Sequence, residues 1–373
     1  MTPADLRWMG HALELAARGR GLTSPNPMVG AVVVRGDEVV GEGYHERAGT
    51  GHAEAVALAR AGTRAAGATL YVTLEPCNHH GRTPPCTAAV IASGVSRVVF
   101  AIPDPNPRVA GGGAAALRAA GIAVEEGCAG AEARALNRVF LTAATHSRPH
   151  VVLKCAMSLD GRIAAADGRS QWITGQAARA VGHRLRSESD AIAVGIGTAL
   201  ADDPALTVRL EAPWPREPYR LVLDSRARLA PGARLITAGD PRRALVAVTE
   251  TAPAERVRAL EAAGAVVLVC KSGEGRVDLH DLTSRLFALG VHALLLEGGA
   301  ELAGSFLDAR LVDRVAMFVA PLLLGGRGAT GAVGGAGRPL AQAARLGNLE
   351  VRPVGPDLLV EADVLPEPLD APA

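Results

Sequence analysis

The chain is most constrained by two neighbouring segments, GHAEA and EPCNHHGRTPPC, which are rich in metal-binding residues. His52 and Glu54 open an apolar stretch of helical character. Cys77 and Cys86 follow a strand-like run from Ala68 to Leu74. One imidazole and two thiols suit zinc, and three protein ligands leave a fourth position for water, whose pKa zinc lowers to about 7. Glu54, left over from the ligand set, can carry protons, so the segments predict a hydrolytic zinc site.

The spacing of the two cysteines needs an explanation. A His-x-Glu pair followed by Pro-Cys-x-x-Cys is typical of zinc nucleobase deaminases. Here eight residues, Asn78 to Pro85, separate Cys77 from Cys86 where that pattern has two. The insert NHHGRTPP is rich in turn formers, so Cys86 can still begin a helix while the insert bulges outward.

The string EPCNHHGRTPPC, with SPNPMVGAVVV before it and DPNP after it, resembles the deaminase half of the bifunctional riboflavin-biosynthesis proteins. These proteins deaminate a phosphoribosylated diaminopyrimidine and then reduce its ribose. The resemblance implies that His52, Cys77 and Cys86 hold one Zn²⁺ per chain and that Glu54 is catalytic. It also places Asn26 against the pyrimidine, although an asparagine between two prolines could simply cap the turn.

The insert between the cysteines adds candidate substrate residues. His79 and His80 could bind metal by type, but with three ligands assigned they suit contact with an anionic group better, and a solvated loop is the alternative. In the resembled family this insert lies beside the phosphoribosyl part of the substrate. Arg82 and Thr83 are therefore the candidate contacts of the substrate phosphate.

The second half offers two clues from its residues alone. Lys154 interrupts the apolar strand VVLKCAMS in a chain with only two lysines against 37 arginines. A compact ammonium that can lose its proton suits a site near a sugar oxygen, and a lysine reaching solvent is the alternative. Further on, a strand at 293–296 runs into Glu297, Gly298 and Gly299 and then a helix. Such a turn can bind a pyrophosphate through backbone N–H groups, although most turns of this kind bind nothing.

Six segments in order, KCAMSLDGRIA, SQWIT, LRSESDAI, GTALADDPALTVR, LDSR and EGGAELAGSF, resemble the reductase half of the same proteins, whose fold is similar to dihydrofolate reductase. The resemblance implies an NADPH site lined by Ala156, Trp172, Thr198, Asp202, Ser225, Gly299, Ala300, Glu301, Leu302, Ala303, Gly304 and Ser305. It implies a site for the phosphorylated sugar lined by Ser170, Arg186, Leu206, Arg209 and Glu297, to which we add Lys154. Arg186 and Arg209 are of the type that holds a phosphate by forked hydrogen bonds.

The preference for NADPH over NADH depends on the segment LVLDSRAR. Asp224 could bind the 2′-hydroxyl of NADH, as an acid in this position does in NAD sites. Ser225, Arg226 and Arg228 follow it directly, and a carboxylate ending a strand is often a cap for the turn. Three donors outweigh one acid, so we expect NADPH. Lys154, Asp202 and Glu297 are the candidate acid–base groups of the reduction.

The predicted fold class is α/β: an N-terminal cytidine-deaminase-like α/β/α domain and a C-terminal dihydrofolate-reductase-like α/β domain. Strands alternate with helices along most of the chain, which predicts mostly parallel sheets with helices on their faces. A helix over 136–146 closes the first domain. We expect a zinc-dependent pyrimidine deaminase domain over 1–147, an NADPH-dependent reductase domain over 148–365 and a disordered tail over 366–373.

Composition limits the partners. With 39 basic against 38 acidic side chains the net charge is +1, and no local basic stripe offers a site for nucleic acid. The N-terminus lacks the apolar core of a signal peptide, and no apolar run approaches the roughly 18 residues of a membrane span. Five cysteines, an odd number, argue against a disulfide framework. We expect a cytoplasmic protein that acts on a phosphorylated pyrimidine and forms a homodimer or higher homo-oligomer.

Two other functions remain open at this point. A cytidine or tRNA adenosine deaminase could be joined to an unrelated reductase, which the long insert and the near-neutral charge disfavour. The zinc could instead be structural, next to a nucleotide-sensing domain. A structural site usually closes with a fourth Cys or His, and His79 or His80 could supply one. Glu54 would then have no purpose.

Overall fold

The computed structural model describes residues 1–78, 85–105 and 112–366 and divides the chain into two compact units. The first unit is Met1–Ser147 and the second begins at Arg148. The predicted tail, apart from Pro366, lies outside the described residues, as do His79, His80, Arg82 and Thr83. Within the described ranges every helix is too short or too polar to cross a membrane.

The first unit is a sheet covered by helices. Its strands are β1 (Gly30–Arg35), β2 (Glu38–Tyr44), β3 (Thr69–Val72), β4 (Arg97–Phe100) and β5 (Ala123–Glu126). Its helices are α1 (Pro3–Ala17), α2 (Ala53–Ala61), α3 (Cys86–Ala92), α4 (Gly112–Ala119), α5 (Gly130–Leu136) and α6 (Arg138–His146). The strand order is β2-β1-β3-β4-β5. The last three strands are parallel, whereas β1 is antiparallel to its hairpin partner β2 and also to β3.

Local chemistry explains where these elements begin and turn. The Thr2 hydroxyl accepts the backbone N–H of Asp5, and the Asp5 carboxylate accepts that of Thr2, so a capping box begins α1. Strands β1 and β2 form a hairpin. Gly36 adopts a left-handed conformation with φ +63° at its tip, which glycine enters without steric penalty.

The end of the first unit differs from the expectation of one helix over 136–146. Two helices, α5 and α6, meet there at Asn137, which leaves helical geometry with φ −102° and ψ 22°. Its buried side chain accepts the Met28 N–H at 2.8 Å and donates to the Met28 carbonyl at 2.9 Å. Asn137 thus fixes the backbone next to Asn26, a contact between distant parts of the chain that no local pattern reveals.

The second unit is built around a nine-stranded sheet. Its strands are β6 (His150–Ser158), β8 (Ala191–Gly195), β9 (Tyr219–Leu223), β10 (Ala244–Thr249), β11 (Val266–Cys270), β14 (Ala293–Glu297), β15 (Arg314–Ala320), β17 (Leu346–Val354) and β18 (Asp357–Val364). Short strands β7 (Arg162–Ala164), β12 (Ser272–Gly273), β13 (Arg276–Val277) and β16 (Thr330–Gly331) form two small ribbons. The helices are α7 (Gln176–Ser187), α8 (Ile196–Asp202), α9 (Arg234–Thr237), α10 (Ala254–Ala262), α11 (Leu279–Ala288) and α12 (Ala300–Asp308).

The topology of this sheet brings the predicted site residues to one edge. The order is β11-β10-β9-β8-β14-β6-β15-β18-β17. All neighbours from β11 to β15 are parallel, and the C-terminal hairpin of β17 and β18 adds two antiparallel strands. The segments that follow β8, β9 and β14 therefore emerge at the same edge. In open α/β sheets this carboxyl edge is where ligands bind.

Candidate active sites

The predicted zinc ligands of the first unit come together from three elements. His52 lies directly before α2, Cys77 follows β3 by a short turn, and Cys86 is the first residue of α3. His52 Nδ1 lies 3.0 Å from Cys86 Sγ and 3.6 Å from Cys77 Sγ, and all three donor atoms lie within 4.8 Å of one another. One nitrogen and two sulfurs at this spacing fit a zinc ion.

The electrostatics of the Cys77 thiol favour metal binding, whereas a hydrogen bond with Cys77 and burial raise the pKa of the Cys86 thiol. Hydrogen bonding with the Cys86 thiol and with His52 outweighs burial and lowers the pKa of Cys77 to about 4. The backbone N–H of Cys86 also donates to Cys77 Sγ at 3.4 Å. The thiolate is the form that ligates zinc, so the lowered pKa of Cys77 favours the ligating form.

Glu54 lies in the first turn of α2 and is buried. Burial raises the pKa of its carboxyl group, and the charge of His52 acts in the opposite direction. A bound zinc ion would also stabilise the ionised form. A carboxyl group with a raised pKa is suited to accepting a proton and returning it during a reaction.

His45 belongs to this site, although the sequence analysis did not select it. Its Nδ1 lies 3.1 Å from the Gly51 carbonyl and its Nε2 lies 3.1 Å from the Asn26 side-chain amide. These partners fit a neutral imidazole that donates to Gly51 and accepts from Asn26. Burial lowers the pKa of His45, and its ring packs edge-on against His52 with centroids 5.8 Å apart. The pairing of β1 with β2, which places Tyr44 opposite Gly30, is the signal that could have revealed it.

Glu75 is a second residue that sequence reasoning missed, although it begins the EPC string. Its buried carboxylate accepts the backbone N–H of Asp104 at 3.3 Å and of Ala114 at 3.0 Å. These bonds fix the turn that presents Cys77. Outside the zinc site, the thiols of Cys128, Cys155 and Cys270 are free and buried.

In the second unit Lys154 and Glu297 are partners on adjacent strands β6 and β14. Lys154 Nζ lies 3.8 Å from the Glu297 carboxylate, and Arg186 donates two hydrogen bonds to the same carboxylate. Burial alone would raise the pKa of Glu297, but the charges of Arg186 and Lys154 lower it to about 2. Glu297 is therefore an anion at neutral pH. Since the Arg186 fork is engaged by Glu297, its predicted contact with the substrate phosphate stays a prediction.

The other predicted sugar residues lie around this ion pair or on nearby loops. Arg186 Nη1 donates to the Thr207 carbonyl at 3.0 Å, and the Arg209 N–H donates to His183 Nδ1 at 3.3 Å. Leu206 is buried and adopts φ +49°. His183, which the sequence analysis did not select, thus links α7 to the segment of Leu206 and Arg209. Ser170 lies between β7 and α7, outside this cluster of contacts.

The turn after β14 is the predicted pyrophosphate site. Gly298 and Gly299 adopt φ +83° and +87°, and a Cβ on Gly299 would lie 3.1 Å from the Thr198 hydroxyl. The structure therefore joins Thr198 to the glycine turn and the start of α12. Of the predicted run, Leu302, Ala303 and Gly304 are buried in the helix, so the exposed part of that run is its first turn.

The remaining predicted cofactor residues lie elsewhere in the second unit. Ala156 lies on β6, Asp202 is exposed at the end of α8, and exposed Trp172 lies under the Arg179 guanidinium at 4.5 Å from its ring centre. Ser225 follows β9, and its hydroxyl accepts the Val277 N–H at 3.2 Å.

Of the two roles considered for Asp224, the structure supports the cap of the turn after β9 rather than a contact with the ribose of NADH. Asp224 is fully buried, and its carboxylate accepts the Leu229 N–H at 2.8 Å. A carboxylate in this position cannot reach a ribose hydroxyl at the surface. The structure thus argues against Asp224 as a ligand of the ribose, and Asp224 was the one residue that favoured NADH.

Each of the two units matches a different family of known proteins. Residues 2–102 match the family model of the cytidine and deoxycytidylate deaminase zinc-binding region, and residues 149–360 match the RibD C-terminal domain. The riboflavin biosynthesis protein RibD of Escherichia coli strain K12 is 44% identical, with 95% of this chain and 98% of that protein covered. RibD of Actinobacillus pleuropneumoniae is 42% identical, with 98% and 96% covered. The chain belongs to the RibD family.

Solved structures of RibD proteins agree with this membership. Acinetobacter baumannii RibD, form 1, superposes with a TM-score of 0.88 at 40% identity and covers 97% of this chain and 99% of its own. A deaminase/reductase of Thermotoga maritima gives a TM-score of 0.82 at 34% identity, with 97% and 99% covered. The predicted fold class is thereby confirmed, with a zinc-binding deaminase domain followed by an NADPH-dependent reductase domain.

Membership in the RibD family also decides between the open alternatives. The reductase domain is the RibD one rather than an unrelated reductase, and the zinc site belongs to a deaminase domain rather than to a nucleotide sensor. The protein is therefore a bifunctional enzyme of riboflavin biosynthesis.

Proposed function

We propose that the protein performs two successive steps on one phosphorylated pyrimidine. The first is hydrolytic deamination of 2,5-diamino-6-ribosylamino-4(3H)-pyrimidinone 5′-phosphate. The second is reduction of the ribosyl group, which gives 5-amino-6-(5-phospho-D-ribitylamino)uracil. The observation that carries the first step is the His52, Cys77 and Cys86 donor set within 4.8 Å, with buried Glu54 next to it.

Glu54 moves the protons of the deamination. His52, Cys77 and Cys86 would hold the zinc ion, which would supply the acidity that makes water a nucleophile at neutral pH. The Glu54 carboxylate accepts a proton as water adds to the ring carbon that bears the amino group. It returns a proton to that amino group, which leaves as ammonia. We assign the holding of the pyrimidine to Asn26, whose side-chain amide is hydrogen-bonded to His45.

The Lys154 and Glu297 pair suits the reduction. The Gly298–Gly299 turn and the start of α12 would hold NADPH, which would supply the hydride for C1′ of the ribosylamino group. When the sugar ring opens, its oxygen needs a proton. Glu297 has a pKa of about 2 and cannot donate one at neutral pH, whereas an ammonium can. We therefore assign proton donation to Lys154 and orientation of Lys154 to Glu297, 3.8 Å away.

The composition of the chain indicates which kind of partner the protein binds. A net charge of +1 gives no general attraction for nucleic acids or anionic membranes, so the partner we propose is the small-molecule substrate. Arg82 and Thr83 are the proposed contacts of its phosphate in the first step. We also propose cytoplasmic action and assembly as a homodimer or higher homo-oligomer.

Stoichiometry tests the proposal. The purified full chain with zinc and NADPH should release one ammonia and oxidise one NADPH for each molecule of the diaminopyrimidine phosphate. Omitting NADPH should stop the sequence after ammonia release. Ammonia release from cytidine or adenosine at a comparable kcat/KM, or none from the diaminopyrimidine phosphate, would overturn the assignment.

A further inference from the structure

We propose that Arg276, on the β12–β13 hairpin, binds the 2′-phosphate of NADPH and sets the coenzyme preference of the reductase unit. The inference rests on the NADPH-dependent reduction proposed above and adds to it a residue outside the segments that resemble the family. Its evidence is the position of the hairpin, the exposure of Arg276 and the different use of the neighbouring arginines.

The hairpin contacts the turn after β9, where the adenosine of the cofactor is predicted to bind. It follows β11, which is the edge strand of the sheet, and β13 packs against β10. The backbone N–H of Val277 then donates to the Ser225 hydroxyl at 3.2 Å. Arg276 is the residue directly before Val277, so this bond anchors the backbone of Arg276 beside the turn after β9.

Arg276 also reaches the predicted pyrophosphate end. Its Nη1 lies 3.9 Å from the Glu301 carboxylate, in the first turn of α12. Only β8 separates β9 from β14 in the sheet, so the two turns lie about 10 Å apart, two strand spacings. An adenosine that is attached to the pyrophosphate spans a gap of this order. Arg276 therefore lies where the ribose between these two groups would pass.

The ion pair of Arg276 can be exchanged for a phosphate. Arg276 and Glu301 side chains are 70% and 71% exposed, and an exposed pair at this distance contributes little free energy. A phosphate dianion offers the guanidinium two parallel hydrogen bonds instead. Binding of NADPH would thus replace a weak contact by a strong one.

The nearby arginines differ in their availability. Arg228 Nε lies 3.8 Å from Asp224 Oδ1, a fully buried oxygen that has no hydrogen bond within the described residues. Arg228 therefore compensates a buried charge. Arg226 is exposed on the same turn and can assist Arg276. The structure shifts the main contact from the Arg226 and Arg228 pair suggested by the sequence to Arg276 with Arg226.

The test uses Arg276→Ala in the full chain, with adenosine 2′,5′-bisphosphate and adenosine 5′-monophosphate as probes in calorimetry. We expect the Kd of the bisphosphate to rise by about 10-fold to 100-fold, as for loss of a hydrogen bond between charged groups. The Kd of the monophosphate should stay unchanged. In kinetics, kcat/KM for NADPH should fall by the same factor while that for NADH stays constant, and Arg276→Lys should restore part of the loss.

Arg258→Ala is the matched control, because Arg258 is exposed on α10 and its loss changes the net charge equally. An equal loss with both adenosine probes, an unchanged bisphosphate Kd, or the same effect in the control would overturn the role of Arg276. The binding arm does not require turnover. A protein that binds the bisphosphate through Arg276 but does not oxidise NADPH would contradict the proposed reduction and leave this site in place.

Discussion

Arg186 and Glu297 form a forked ion pair, with Nε to Oε1 at 2.6 Å and Nη2 to Oε2 at 2.8 Å. Their side chains are 14% and 9% exposed, so removing one charge leaves the other buried without its partner. Glu297→Gln should therefore lower the free energy of unfolding of the second unit by about 3 to 5 kcal/mol. Chemical denaturation of the full chain measures this.

The control for that variant is an exposed pair in the same unit. Arg169 and Asp167 are 85% and 49% exposed, and Asp167→Asn should change the unfolding free energy by less than about 1 kcal/mol. Equal effects of the two substitutions would show that the Arg186 pair is no more important than a surface contact.

The protonation of His183 predicts a pH dependence of stability. Burial and the charges of Arg186 and Arg209 lower its pKa from 6.5 to about 4, with Lys154 acting in the same direction and Glu297 against it. The unfolded chain therefore binds a proton at higher pH than the folded one, and stability falls as the pH decreases from about 6.5 to about 4. His183→Gln should flatten this part of the profile. An unchanged slope between these pH values would remove His183 from the explanation.

The ionisation of Glu297 predicts a second pH dependence of stability, at lower pH. The folded pKa of about 2 lies below the ordinary 4.5, so the stability that Glu297 contributes is complete above about 4.5 and is lost as the pH falls toward 2. The Glu297→Gln variant should lack this loss. The two windows are separable, because the contribution of His183 extends up to about 6.5.

Much of the fold and of the zinc site could be predicted from the sequence, because both depend on local patterns. Apolar strands alternating with helices, the Thr2 cap and the Gly36 turn all act over a few residues. Asn137, His45 and Glu75 escaped prediction since each contacts a segment that is distant in the chain. The fork of Arg186 was assigned by residue type alone, and only the packing of α7 against β14 reveals that Glu297 engages it.

The packing beneath Cys77 offers a test with an adjacent control. A Cβ on Gly113 would lie 1.9 Å from the Pro76 carbonyl, whereas the nearest atom to a Cβ on Gly112 is 3.9 Å away. Gly113→Ala must displace the turn that carries Cys77 and should weaken zinc binding by about tenfold or more, as loss of ligand support does. Gly112→Ala should bind zinc normally in a chelator competition. Equal zinc affinities would refute the role of this contact.

The ligand set itself predicts metal content. Cys86→Ser removes one of three ligands and should lower zinc occupancy, measured by elemental analysis of the purified protein. Cys128→Ser, in the core of the same unit, should keep about one zinc per chain. If Cys86→Ser retains full zinc while His80→Ala loses it, the third ligand has been assigned wrongly.

The most direct test of two independent activities in one chain is Glu54→Ala, assayed for both steps on the same preparation. Glu54 lies in the first unit, whereas Lys154, Glu297 and the Gly298–Gly299 turn lie in the second. We predict that ammonia release is abolished, that zinc content stays at one per chain, and that NADPH oxidation with the deaminated intermediate continues at the unmutated rate. Loss of both activities in a folded, zinc-loaded variant would contradict the account.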